Sequence, residues 1–187
     1  MPVATLGAQG WQIEPPQVER LRVDEEPIGF WAGKMFRAYY EFSIAAGGNR
    51  SFRFISPINF ILTSQRLDVD DGGVRMAAYT GTITPSGSWT PVPQIGVNRS
   101  TERPLPGYTN QCTIETGGTF TGGTEVDVLR ARGNASGGLL GSGVNVGQAH
   151  ATERALPAGT YYIRLDALAG VAGTSLGIYS ISWEERP

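Results

Sequence analysis

The sequence predicts an all-β fold, an antiparallel β-sandwich of jelly-roll type with an extended N-terminal arm. Three observations predict it. Apolar and polar residues alternate with a period of two in several short stretches, which is the period of a strand with one buried face. Turn-forming residues separate these stretches, and the chain contains 26 glycines and 12 prolines. No stretch has the 3.6-residue period of an amphipathic helix. Short strands with frequent turns are typical of antiparallel sandwiches and barrels.

Residues 1–33 are predicted to form the arm, and residues 34–187 the sandwich domain. The arm has no sustained period and contains Pro15 and Pro16. Such a segment is expected to extend over a surface because it has little apolar core of its own. The first clear strand is predicted at Phe36–Ile44, where apolar residues hold the even positions.

The next stretches predict a turn and two further strands. The turn at 45–49 leads to a strand with Phe52 and Phe54 on its buried face. In the strand after it, apolar residues hold even positions up to Leu62 and odd positions from Leu67. A β-bulge, or a crossing of the strand between two sheets, would produce that change of face.

Five more strands complete the predicted sandwich. Three are short: Val74–Thr80, Gln111–Glu115 and Thr124–Arg130. The last two, Leu156–Leu165 and Ser175–Pro187, both alternate apolar and polar residues. A Pro-x-Gly corner opens the first of these two, and a connector of small residues joins them. They are therefore predicted to form an antiparallel hairpin that closes the chain.

Charge and composition exclude several classes of function. The net charge of -2 leaves no basic surface for nucleic-acid phosphates, so no nucleic-acid partner is predicted. No apolar run approaches the roughly 20 residues of a membrane helix, and the N-terminus has no export signal, so neither a membrane partner nor secretion is predicted. Cys112 is the only cysteine, which excludes an internal disulfide and suits a reducing compartment.

Residue types that carry catalysis are scarce. His150 is the only histidine and lies in a Gly-rich loop, where solvation explains it. The stretch Gly173–Gly177 matches the G-x-S-x-G nucleophile motif, but a strand follows it where that motif requires a helix, and no histidine follows. The chain is therefore predicted not to be an enzyme, with no catalytic residues, no cofactor and no metal site.

An acidic cluster, Asp68, Asp70 and Asp71, precedes Gly72-Gly73. Its spacing does not fit an EF-hand, because Tyr79 stands where the bidentate glutamate is required. A hairpin turn with Asp-Gly chemistry is favoured. An irregular oxygen-ligand site for an ion is the alternative.

The phrase Thr-Glu-Arg-x-Leu-Pro occurs twice, from Thr101 and from Thr152. Each copy is interpreted as a corner where a loop enters a strand, or as a polar patch repeated for a partner. Aromatic residues of the arm are further candidates for anchoring a protein contact. The predicted partner-contact residues are Trp11, Phe30, Trp31, Glu102, Arg103, Glu153 and Arg154.

Several phrases together resemble one class of proteins. They are GKMFRAYYEFSIAAG, INFILTSQRLDVDDGGVRMAAYTG, TGGTFTGGTEVDVLR, LPAGTYYIRL and SWEER, all within residues 33–187. These phrases resemble small virion structural proteins of tailed bacteriophages. The resemblance implies a capsid-decoration or cement protein, a small β-sandwich or jelly roll that forms homo-oligomers on the head lattice. It also implies the major capsid protein or another virion protein as partner, and location in the virion after assembly in the host cytoplasm.

Two alternatives stay open. A tail-associated or head-fibre component has the same virion location, and a receptor-binding part of the tail would bind a host glycan. The closing strands also resemble accessory sandwich modules of secreted hydrolases, which implies a carbohydrate-binding module. Trp89 lies in a loop between strands, where it either packs on the sandwich or offers a platform for a sugar.

Overall fold

The computed structural model describes residues 5–6, 11–12, 28–97, 108–133, 142–146 and 154–187. These residues form one short helix and fourteen strands. Their bounds are β1 Thr5–Leu6, β2 Trp11–Gln12, α1 Ile28–Trp31, β3 Met35–Ile44, β4 Asn49–Ser56, β5 Asn59–Asp71, β6 Gly73–Ser86, β7 Thr90–Pro91, β8 Gln94–Gly96, β9 Thr113–Thr116, β10 Thr119–Arg132, β11 Ser142–Val146, β12 Arg154–Leu156, β13 Gly159–Ala167 and β14 Ser175–Arg186.

Two antiparallel six-stranded sheets pack face to face. Sheet I has the strand order β11-β5-β14-β3-β8, and β12 also pairs with β5. Sheet II has the order β10-β6-β13-β4-β9-β7. Among the described residues, the short strands β1 and β2 pair with each other and with no other strand. The all-β sandwich predicted from the sequence is therefore confirmed.

Eight of the strands form nested antiparallel pairs. In chain order, β3 pairs with β14, β4 with β13, β5 with β11 and β6 with β10. The first strand of the set thus pairs with the last, and the fourth with the fifth. The connections from β3 to β4, β4 to β5 and β5 to β6 all lead from one sheet to the other.

The predicted closing hairpin is wrong. Strand β13 lies in sheet II between β4 and β6, whereas β14 lies in sheet I between β3 and β5. The connector at 168–174 is long enough to cross the roughly 10 Å between packed sheets. The alternation of apolar and polar residues predicts which side chains of a strand face the core. It gives the same prediction whether β13 and β14 pair with each other or lie in opposite sheets.

The turn after the acidic cluster also crosses between sheets. Gly72 has a φ of +79°, a conformation that favours glycine, and its N–H donates to Asp71 Oδ1 at 2.7 Å. Ser175 Oγ accepts from Gly73 N at 3.1 Å and donates to Gly73 O at 3.0 Å. The Asp-Gly turn is therefore confirmed, but the hairpin is wrong because β5 and β6 belong to opposite sheets. Among the described residues, no group of three His, Cys, Asp or Glu side chains could hold a metal ion.

The change of face in β5 is a bulge, one of the two predicted alternatives. Ser64 lies opposite Ser182, and Leu62 lies opposite Trp183, so Thr63 is the extra residue. Before the bulge the buried residues have even numbers, as Phe60 does. After it they have odd numbers, as Leu67 does.

The core between the sheets is largely aromatic at the last strand. Trp183 is completely buried, and its ring lies 6.0 Å from that of Phe36 and 5.1 Å from that of Phe54. Tyr179 accepts a hydrogen bond from Gln65 Nε2 at 2.8 Å, and burial raises the pKa of its hydroxyl. The predicted inward face of this strand is confirmed.

Alternation misleads in β10, which is an edge strand of sheet II. Val126 and Val128 alternate with Glu125 and Asp127 in the sequence, but both valines are exposed. A register shift between Glu125 and Asp127 makes Val126 a bulged residue. Beyond the bulge, Ala131 is buried.

Candidate functional site

Helix α1 holds the N-terminal segment against the last strand. A Cβ at Gly29 would overlap the end of the Glu184 side chain, so α1 lies in close contact with that carboxyl group. Lys34 N donates to Gly29 O at 2.8 Å, and Glu185 N donates to Lys34 O at 2.9 Å. The chain therefore passes from α1 into β3 directly beside the end of β14. We call this end of the sandwich, formed by α1, residues 183–186, residues 108–112 and β12, the arm end.

Glu184 lies beneath α1 on the outer side of sheet I and is buried. Its carboxylate pairs with Arg186, with 3.0 Å between Oε1 and Nη2. The Arg186 side chain is about half exposed, and an ion pair with such a partner contributes little by itself. The carboxyl group of Glu184 also lies directly against Gly29 of α1.

Glu185 faces the opposite way, into the sandwich, and is completely buried. Its carboxyl group accepts hydrogen bonds from Tyr108 Oη at 2.8 Å, Gln111 N at 3.1 Å and Cys112 N at 2.9 Å. A buried carboxyl group is stable only when donors surround it, as here. These bonds fasten residues 108–112 to the end of β14.

Tyr108 and Cys112 are held in their neutral forms at this site. Burial and the hydrogen bond to Glu185 raise the pKa of Tyr108 to about 12, and Lys34 Nζ lies 5.5 Å from the centre of its ring. Burial raises the pKa of the Cys112 thiol to about 12. A thiol with so high a pKa is a poor nucleophile, so the geometry gives Cys112 a packing role.

We expect Cys112 to resist a thiol reagent such as DTNB in the native protein at about pH 8, and to react fully in denaturant. Because folding raises both pKa values, the stabilisation from these two groups is complete below their unfolded pKa values and is lost as the pH rises toward about 12. Labelling rates, and urea midpoints at increasing alkaline pH, measure both effects. Equal labelling rates in native and denatured protein would contradict the burial of Cys112.

The structure reaches four of the seven predicted contact residues. Phe30 is half-buried in α1. The backbone alone is described for Trp31 in α1, Trp11 in β2 and Arg154 at the start of β12. Glu102, Arg103 and Glu153 lie outside the described residues.

Two parts of the predicted contact set come to the same end of sheet I. Arg154 lies opposite Leu62 of β5, and Leu62 lies opposite Trp183 of β14, which directly precedes the glutamate beneath α1. Two inter-strand spacings of about 4.8 Å therefore separate β12 from β14. The backbone of Arg154 therefore lies two strands away from β14, the strand against which α1 packs.

A shallow groove of about 460 Å³ runs beside β12 at the arm end. Ile61, Leu156 and Pro157 give it an apolar lining, and Asn59 and Arg186 add polar groups. The groove can take an apolar side chain of a partner while Arg186 binds a carboxylate or carbonyl oxygen. This arrangement suits binding.

The outer face of sheet II carries a second cluster, which was not predicted. The ring of Phe120 lies 5.1 Å from that of Tyr79 and 5.1 Å from that of Tyr162. The Arg164 guanidinium lies 5.1 Å from the Tyr79 ring centre. At Gly122, φ is +78°, and the register of β10 shifts just beyond it. The cluster therefore holds the end of β6 and the start of β10 against the outer face of sheet II.

Trp89 packs at the edge of this cluster. Its ring lies so close to Gly118 that a Cβ there would overlap it. The Arg53 guanidinium lies 4.8 Å from the ring centre, and the ring of Tyr162 lies 6.1 Å away. Of the two roles considered for Trp89, packing is the one that this geometry favours.

A signal for the cluster was present in the sequence. Residues Met76–Tyr79 are apolar without interruption, as expected for a strand that is covered on both faces. Met76 faces the main core, and Ala77 and Tyr79 are buried in the outer cluster. No such signal marks Glu185, since a glutamate near other charged residues is normally exposed.

No protein-family model matches this chain, and no curated protein sequence matches it. In the described part of the chain, no helix is long and apolar enough to cross a membrane.

Proposed function

We propose that this chain is a non-enzymatic structural protein of a bacteriophage virion, of the capsid-decoration type. It binds the head lattice, through the major capsid protein or another virion protein, by its N-terminal arm and the arm end. The observation that carries the proposal is the close packing of Gly29 in α1 on Glu184. An arm that leaves a rigid sandwich from a fixed root loses less conformational freedom on binding than one that is free along its whole length.

The sequence resemblance supports the same class. Its phrases fall in the framework of the sandwich: GKMFRAYYEFSIAAG contains β3, the second phrase covers β5 and most of β6, and the third supplies most of β10. The last two phrases fall in β13 and β14. The resemblance is thus one of framework strands, which suits a class of proteins that share an architecture without an active site.

The strand order further supports a jelly roll. A jelly roll has eight strands in two sheets and is built from two Greek keys. The orders β11-β5-β14-β3 and β4-β13-β6-β10 give four strands in each sheet. The nested pairs and the turns that cross between sheets fit that architecture.

Removing residues 1–27 is expected to leave the sandwich folded and to weaken its binding to particles at least tenfold. The deletion keeps α1 and its contact with Glu184, so thermal unfolding of the truncated chain should match that of the full chain. Co-sedimentation with purified particles that lack the protein measures the binding. Full binding by the truncated chain would show that the arm is not the anchor.

A substitution in α1 tests whether the position of the arm matters for binding while the arm itself is still present. Gly29→Val introduces a side chain where the Glu184 carboxyl group lies, so α1 or that side chain must shift while residues 1–27 remain present. If Gly29→Val weakens particle binding and leaves the thermal unfolding of the sandwich unchanged, the result supports the view that α1 fixes where the arm leaves the sandwich. Gly96→Val is the matched control, because a Cβ at Gly96 meets nothing within 4 Å. A glycan array with both proteins tests the carbohydrate-binding alternative.

A further inference from the structure

We propose that two copies of this chain associate edge to edge through Tyr39–Ile44 of β3, forming a two-fold dimer with one continuous sheet. The inference names a second copy as a partner, and it does not depend on where the protein works. The argument begins with the pairing of β3. On one side, β14 pairs with β3 from Met35 to Ile44. On the other side, β8 covers only Phe36–Ala38.

Within the described residues, no strand pairs with the outer side of Tyr39–Ile44. A free strand edge presents backbone N–H and C=O groups that another strand can bind. Proteins usually protect such edges with bulges, prolines, very short strands or charged side chains, and Glu41 is the one charged residue of this stretch. The β3 stretch has no proline, and its ladder with β14 contains no register shift.

Three other sheet edges in the described part of the chain do carry such protection. The ladder of β10 has two register shifts, and β7 is a two-residue strand that contains Pro91. β11 and β12 divide the far edge of sheet I into pieces of five and three residues. The edge of β3 has none of these three devices.

Exposed apolar side chains lie beside the free edge, on the outer face of sheet I. Tyr39 is 51% exposed, and Leu176 and Ile178 of the adjacent β14 are 42% and 36% exposed. Ile178 lies opposite Glu41, and Leu176 lies opposite Ser43. In a sheet that continues into a second copy, the side chain of Tyr39 would pack beside side chains of the new strand.

A second copy fits because an antiparallel edge can pair with itself around a two-fold axis. Residues directly opposite each other must share a face of the sheet. A register centred on Glu41 would place two Glu41 carboxylates opposite each other, which is unfavourable. A register centred on Phe42 places Glu41 opposite Ser43 of the second copy, twice, and Tyr40 opposite Ile44 of the second copy, twice. We therefore assign the register centred on Phe42.

This register predicts opposite effects for opposite charges at one exposed position. Ser43→Glu places two new carboxylates opposite Glu41, whereas Ser43→Arg places two guanidinium groups there. Sedimentation velocity over a concentration series is expected to show a monomer–dimer equilibrium. Its dissociation constant should rise for Ser43→Glu and fall for Ser43→Arg, each by roughly 2- to 30-fold. Thr121→Glu and Thr121→Arg, at an exposed position of β10, are controls that should change nothing.

Three outcomes would overturn the inference: a monomer at every concentration, a dimer that is indifferent to both substitutions at Ser43, and a dimer weakened equally by both. Thermal unfolding of each variant confirms that the sandwich is intact. Particle binding is measured separately with the truncated chain, so a monomer that still binds particles would overturn the dimer and leave the proposed function in place.

Discussion

Replacing Glu185 by alanine is expected to lower the free energy of unfolding by about 3–5 kcal/mol. The side chain is completely buried and accepts hydrogen bonds from the hydroxyl of Tyr108 and from the backbone amides of Gln111 and Cys112. Without it, buried donors lose their acceptor, and each unsatisfied donor costs about 1–3 kcal/mol. Urea unfolding followed by tryptophan fluorescence measures the change.

The neighbouring glutamate is the matched control. Glu184→Ala removes a buried carboxylate that packs against Gly29 and pairs with a half-exposed arginine, so we expect a smaller loss than for Glu185→Ala, with less than about 1 kcal/mol of it from the ion pair. Hydrogen exchange distinguishes the two variants further, because only Glu185→Ala should expose the amides of residues 108–112. Equal destabilisation by both substitutions would contradict the role assigned to Glu185.

Replacing Phe120 by alanine is expected to destabilise the protein by about 3 kcal/mol and to loosen one region selectively. The Phe120 ring contacts those of Tyr79 and Tyr162 and is the main link between the bent end of β10 and the outer face of sheet II. Hydrogen exchange should therefore increase at residues 80–86 and 119–124. The central strands β13 and β14 should keep their protection.

Phe120→Leu is the control for this prediction. Leucine keeps much of the apolar contact but lacks the aromatic packing against Tyr79 and Tyr162, so its effect should be about half that of alanine. An exchange pattern in which all strands lose protection together would mean that the outer cluster is part of the main core.

The alternation of side chains predicted individual strands well. In β3 and β14, apolar residues at every second position face the core, as Phe42 and Tyr179 do. Even the bulge at Thr63 left a signal, because it changed the parity of the apolar positions in β5. These features are local, so the sequence around them contains the information.

Pairing between strands could not be predicted in the same way. The last two strands are neighbours in the sequence, yet β13 and β14 lie in opposite sheets, and their partners come from the first half of the chain. At the candidate site, the burial of Glu185 could not be predicted for the same reason. Its donors lie more than 70 residues earlier, so its burial depends on tertiary packing that no local pattern records.

The proposal that this chain is a virion protein bound through its arm end is tested most directly by electron cryomicroscopy of purified particles. We expect density for the sandwich on the head surface, with α1 and β12 directed toward the capsid lattice. Density at the tail would assign the chain to the tail-associated alternative. Absence of the protein from the particles, checked by mass spectrometry of the same preparation, would contradict the proposed function.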